Sequence, residues 1–189
     1  MALKYALILL LLSLSACSDR HKKKESPPQE VAPKTKEVPT TWEFVDQKGQ
    51  ASVLKHTQKG LELQGVSNQP IFILFLSLEP KFVPYSALLK HLQSNFKGVS
   101  FVAVLDKPYK QEAIDAYLKA HTPKFTLLNP KNNLDSLRVS LGCAQWKPPY
   151  FFLYKPDGTL YQSYHGAVVE EMLAKDIQDL LSTNTTKKE

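Results

Sequence analysis

Thiols are the most reactive side chains in this 189-residue chain, and it has two, Cys17 and Cys143. A thiolate attacks disulfides, ligates soft metals and accepts acyl or alkyl groups. Two thiols close together at the head of a helix would make a dithiol redox centre, but no cysteine lies between Cys17 and Cys143. The histidines, His21, His56, His91, His121 and His165, are dispersed. No H-x-x-E-H, H-x-H or C-x-x-C spacing offers a metal site. There is no G-x-S-x-G elbow, no glycine-rich phosphate loop and no Ser-His-Asp spacing. Neither a metal nor another cofactor is expected, and the chain reads more as a non-enzyme than as an enzyme.

Cys17 stands in a telling context. Lys4 precedes the apolar run YALILLLLSLSA. A charged start, a short apolar stretch and small residues at a cut site describe an export signal, too short for a bilayer span. Leu14-Ser15-Ala16-Cys17 resembles the lipobox of bacterial lipoproteins. The resemblance implies that residues 1–16 are a signal peptide and that Cys17 becomes the acylated first residue of a membrane-anchored, periplasm-facing protein. Several acyl chains on one residue give stable anchoring where one would not. Ser18 rather than Asp after the cysteine leans toward the outer over the inner membrane. One thiol, Cys143, then remains, and it has no partner for an internal disulfide.

The charge of +6 is spread along the chain, with no basic run interleaved with aromatics, so no nucleic-acid partner is expected. SDRHKKKESPPQEVAPKTKEVPTT follows Cys17 and is nearly empty of large apolar groups. Such composition does not bury enough surface to offset its ordering entropy. It reads as a tether over residues 17–41, ahead of one domain over 42–182 and a polar tail over 183–189.

The elements that position the remaining side chains follow from hydrophobic periodicity. WEFVDQKGQASVLKH predicts two short strands around Lys48-Gly49, and LELQG a further short segment. IFILFL and VSFVAVLD read as strands buried on both faces. Leu88, Leu89, Leu92 and Phe96 predict a helix over 85–96; Ile114, Tyr117 and Leu118 predict another over 109–121. KFTLLN is a short strand and residues 134–141 a short helix. YFFLYKPDGTLYQSY is a hairpin around Pro156-Asp157-Gly158. An amphipathic helix over 168–181 closes the domain. The order is β-β-β-α-β-α-β-α-β-β-α, which demands parallel strands joined by right-handed crossovers.

Three passages carry a family resemblance: FVDQKGQ, IFILFLSLEPKFVPYSALLKHL and KPPYFFLYKPDGTLYQSYHGAVVEEM. In this order, from about Trp42 to Leu181, they resemble the thioredoxin fold. The nearest branch is the periplasmic one of TlpA and ResA-like proteins and the cytochrome c maturation thioredoxins. The resemblance implies an α/β, thioredoxin-like fold: a mixed central sheet flanked by helices on both faces, with an N-terminal β-hairpin extension. It also implies a C-x-P-C turn at the head of the first helix. Here those four places are Phe82, Val83, Pro84 and Tyr85. Neither Phe nor Tyr exchanges thiols, so ordinary dithiol oxidoreductase activity is excluded.

By the same resemblance Pro149 is the candidate cis-proline beside that turn. In relatives, the residue before it lends its backbone to an extended substrate; here that residue is Pro148, which has no N–H to give. Were Pro148 itself cis, Lys147 would precede it and the donor would be kept; the strand match favours Pro149. Trp146, Pro148 and Tyr150, with Phe82 and Tyr85, either line an apolar groove or fill the space of the lost redox site. Cys143 is either a lone reactive thiol or a small half-buried hydrophobe, and no activating base is evident beside it. Three functions are carried forward. The first is a non-catalytic module that binds an unidentified envelope protein or peptide, anchored to the lipid bilayer through the Cys17 acyl chains. The alternative is a monothiol exchange protein acting through Cys143. The third is a structural spacer.

Overall fold

The computed structural model describes residues 40–145 and 147–185; Cys17, the segment before Thr40 and Trp146 lie outside the described residues. The chain runs β1 (Thr40–Asp46), β2 (Ala51–Thr57), β3 (Gly60–Leu63), β4 (Ile71–Leu76), a 3-10 turn (Pro80–Phe82), α1 (Val83–Asn95), β5 (Ser100–Leu105) and α2 (Gln111–His121). It continues through β6 (Thr126–Pro130), α3 (Asp135–Ser140), β7 (Tyr150–Tyr154), β8 (Leu160–His165) and α4 (Glu170–Thr185). The element order is the one the periodicity predicts with one strand more: the short segment expected at LELQG pairs with β2 as β3, so four strands, not three, precede α1. The ends differ: β1 begins ahead of Trp42 and α4 runs past Ser182. α1 begins at Val83 rather than Tyr85, because Pro84 is accommodated in a first helical turn, where its missing N–H is no loss. α2 begins at Gln111, leaving Tyr109 in the loop before it.

The strands form one sheet in the order β3-β2-β1-β6-β5-β4-β7-β8. β4 and β5 run parallel, as do β5 and β6; β7 joins β4 antiparallel and β1 joins β6 antiparallel. All six residues of IFILFL are buried. Alternation sends Phe72, Leu74 and Leu76 to one face, where they meet Leu89 and Leu92 of α1, Ile114 and Tyr117 of α2, and Leu173, Ile177 and Leu180 of α4. Ile71, Ile73 and Phe75 go to the other face. Helices therefore cover both faces, unequally: three on one side, and only the six-residue α3 on the other.

The sheet itself makes up the shortfall. β1, β2 and β3 contribute Trp42, Phe44, Leu54, Leu61 and Leu63 to the second core, beside Leu137 of α3 and Leu134 just before it. The Trp42 indole N–H donates to Ser136 Oγ at 2.8 Å, and Ser140 Oγ lies 2.6 Å from His56 Nδ1, so α3 is fastened to β1 and β2. Gln47 extends the join between β1 and β6: its amide donates to the Phe125 carbonyl at 3.2 Å and accepts from Leu127 N–H at 2.8 Å. The curl brings β3 to the far hairpin, where Leu61 N–H donates to the Gly158 carbonyl at 2.8 Å. Only glycine allows that approach. A Cβ on Gly60 would stand 1.9 Å from the Gly158 oxygen, and Gly60 has φ +139°.

Gly60→Ala should therefore lower stability by about 3 kcal/mol, from the strain of a positive φ plus a backbone clash. Gly49→Ala, with φ +82° and open space at its Cβ position, should lose about 1 kcal/mol. Urea unfolding of the two variants measures the difference, and equal losses would mean that the β3–hairpin closure contributes nothing.

Candidate functional site

The turn that the resemblance marks lies at the carboxyl end of β4, the place where open α/β sheets form their binding crevices. Ser77 is buried there, and the chain then makes the 3-10 turn before entering α1. Phe82, Val83 and Tyr85 are half-buried and Pro84 is exposed. The Phe82 and Tyr85 rings are 6.3 Å apart, and Tyr85 meets Phe151 of β7 edge-on at 6.1 Å. Lys81 pairs with Glu79 at 2.8 Å and holds its ammonium 5.0 Å from the Phe82 ring centre. The hydrogen bond and charge of Lys81 hold the exposed Glu79 carboxyl below its ordinary range. The turn thus presents aromatic faces, a proline and a cation, and no nucleophile.

The peptide bond between Pro148 and Pro149 is cis. Pro149 is buried and Pro148 half-buried. The Pro149 carbonyl accepts the Gly166 N–H at 2.9 Å, which ties the start of β7 to the end of β8. Because Tyr85 rests on Phe151, the turn and the cis-proline strand form one neighbourhood.

Tyr150 does not belong to it, which corrects the grouping expected from sequence. Neighbouring residues on a strand face opposite ways, so placing Phe151 under Tyr85 sends Tyr150 to the second core. There it is 0% exposed and stacked on Phe75 with ring centres 4.7 Å apart. Burial pushes its phenol up to about 12. Trp146, the other expected aromatic, lies outside the described residues.

Cys143 sits in that same second core at 0% exposure. Burial pushes its thiol up to about 11, and the nearby Arg138 charge offsets this only in part. Both burial and the raised thiol disfavour the thiolate, the form that attacks disulfides.

Two features of this region escape sequence reading. The first is a polar cluster at the carboxyl ends of β4, β5 and β6. Tyr109 Oη lies 3.2 Å from Ser77 Oγ, donates to Asp106 Oδ1 at 2.9 Å and accepts Leu78 N–H at 3.3 Å. A cleft of about 470 Å³ borders it, lined by Leu78, Glu79, Lys107, Tyr109, Tyr117 and His121. The spacing of Asp106 and Tyr109 around Pro108 was the available signal, but periodicity absorbed Tyr109 into the helix. The second is a pair of exposed apolar residues at the start of α4, Val169 (64%) and Met172 (43%). A hydrogen bond between Glu170 Oε1 and His91 Nδ1 fastens that end of α4 to α1.

No protein-family model matches the chain, and no curated protein matches it. Solved structures do. BsSco, a member of the Sco family of cytochrome c oxidase assembly proteins, superposes with a TM-score of 0.59 at 15% identity, over 75% of this chain and 91% of its own. DsbF of MTB, in mixed oxidised and reduced forms, gives 0.56 at 15% identity, over 74% and 94%. StoA from Bacillus subtilis gives 0.52 at 14% identity, over 74% and 97%. At such identities the likeness is one of fold: the domain has the thioredoxin-like fold.

The raised Cys143 thiol has a pH consequence. The buried, folded thiol holds its proton to about 11, against an ordinary value of 9.0, so the unfolded chain ionises first. The stability it contributes is full below pH 9 and is lost as pH rises toward 11. Denaturant unfolding across that interval should show a loss on the order of 2 kcal/mol that is reduced in Cys143→Ala. Equal pH slopes for the two proteins would mean that the thiol is not sealed.

Proposed function

We propose that this chain is a lipid-anchored, periplasm-facing envelope protein whose thioredoxin-like domain performs no dithiol chemistry. The domain instead binds a protein or peptide non-covalently over Phe82, Val83, Pro84 and Tyr85, beside the cis Pro148–Pro149 bond. One observation carries this reading. The turn that would hold the sulfurs presents paired aromatic rings, while the sole thiol among the described residues is sealed in the opposite core. Half-buried aromatic side chains make good anchors for a partner, since they offer large area with few torsions to freeze. Pro148 gives no N–H to an incoming strand, so affinity rests on these side chains more than on backbone pairing. Nothing in the geometry favours the monothiol alternative.

The anchor is the part that rests on sequence alone. Cys17 in its lipobox-like setting would carry the acyl chains and hold the domain at the membrane. Ser18 favours the outer membrane, and no nucleic-acid role is implied. Among the described residues no helix is long and apolar enough to cross a bilayer.

Crosslinking in intact envelopes, followed by mass spectrometry, tests the binding reading. Cys143→Ser should retain the partners of the native protein, and the double variant Phe82→Ala, Tyr85→Ala should lose them by about tenfold or more. Partners that disappear with Cys143→Ser would instead make the thiol the working group. Growth with a labelled fatty acid tests the anchor: the native chain should take up label and Cys17→Ser should not. Label on both proteins, or on neither, counts against acylation at Cys17.

A further inference from the structure

The cluster at the strand ends has a directional logic. A phenol has one proton to donate and two lone pairs to receive. Tyr109 uses all three: it donates to Asp106 Oδ1 and accepts from Leu78 N–H, which leaves Ser77 Oγ–H as the second donor. Ser77 Oγ in turn accepts Glu79 N–H at 3.3 Å. The two consecutive amides that lead from β4 into the turn therefore both end on one hydroxyl chain. Tyr109 is itself clamped from behind. Its N–H donates to Asn129 Oδ1 at 3.0 Å, and its carbonyl accepts Asn129 Nδ2–H at 2.9 Å. Lys107 holds its ammonium 5.3 Å from the ring centre. Burial pushes the phenol above its ordinary value, so the donated proton stays in place at neutral pH.

We infer that Tyr109 is a positioning residue: its hydroxyl, braced by Asn129 and Asp106, holds the Leu78–Glu79 segment and so presents Phe82 and Tyr85 in binding geometry before any partner arrives. The inference rests on the proposed binding role of the turn. A turn without sulfur holds a partner by non-covalent contacts alone, and ordering on binding subtracts directly from affinity. A turn ordered in advance avoids that loss. Ser77, only 2% exposed, fits the same purpose, because a buried hydroxyl on a strand end is unfavourable unless it is bonded.

Tyr109→Phe removes the hydroxyl and keeps the ring. Native-state hydrogen exchange, followed amide by amide, should show Leu78 and Glu79 exchanging about tenfold faster or more, while Phe72 to Phe75 in β4 keep their protection. Ser77→Ala is the second variant and separates the two links: Glu79 should accelerate and Leu78, bonded directly to Tyr109, should not. Tyr117→Phe, a buried tyrosine outside the cluster, should change neither amide. Unchanged protection of Leu78 and Glu79 in Tyr109→Phe would overturn the inference. So would acceleration of every amide in β4 together, since that is the signature of a merely structural tyrosine. No partner enters this measurement, so its failure is distinct from a failure of the crosslinking experiment.

Discussion

Strand β4 is buried on both faces, and the remainder of the architecture answers that demand. A strand with no polar side has to be covered twice. One cover comes from α1, α2 and α4, supplied by the β4–β5 and β5–β6 crossovers and the closing helix. The chain between β6 and β7 supplies only α3 for the other, so the N-terminal strands curl over to complete it. The Gly60–Gly158 contact is where that curl ends, and the absence of side chains at both residues permits it.

Strand alternation then sorts the aromatic residues. Phe151 supports the turn through Tyr85; Tyr150, one step back along β7, joins Cys143 and Phe75 beneath the curled strands. The same step separates the half-buried rings of the turn from the buried thiol. Sealing the thiol takes more than local burial, because the layer over Cys143 comes from strands far away in the chain. In the proposed role the half-buried rings beside the cis bond would provide the contact, and the hydroxyl chain through Tyr109 would keep their support in place.

Much of the fold was legible because it is written in period and punctuation. IFILFL, SFVAVL and YFFLY are continuous apolar runs too short for helices, and each is a central strand. Asp157-Gly158 marked the hairpin, and the FVPY segment fell at the head of α1. The ends were less legible. A proline is as compatible with a first helical turn as with the turn before it, and this moved the start of α1. The helix expected over 109–121 took in Tyr109, whereas α2 begins at Gln111 and the bonds of Tyr109 go to Ser77, Asp106 and Asn129.

By itself the sequence determined the order of elements apart from the short β3, the thioredoxin-like class and the lack of a thiol pair at the turn, since these depend on residue identity and short-range spacing. The tertiary structure alone decided that Cys143 is buried, that Tyr150 lies beneath the sheet while Tyr85 lies beside the cis-proline strand, and that Tyr109 takes the Leu78 amide while Ser77, bonded to the same phenol, takes that of Glu79. Burial and hydrogen-bond partnership are properties of which distant segments meet. A strand's period says that neighbouring side chains face opposite ways; which face is covered, and by what, is set by the helices and curled strands that pack against it.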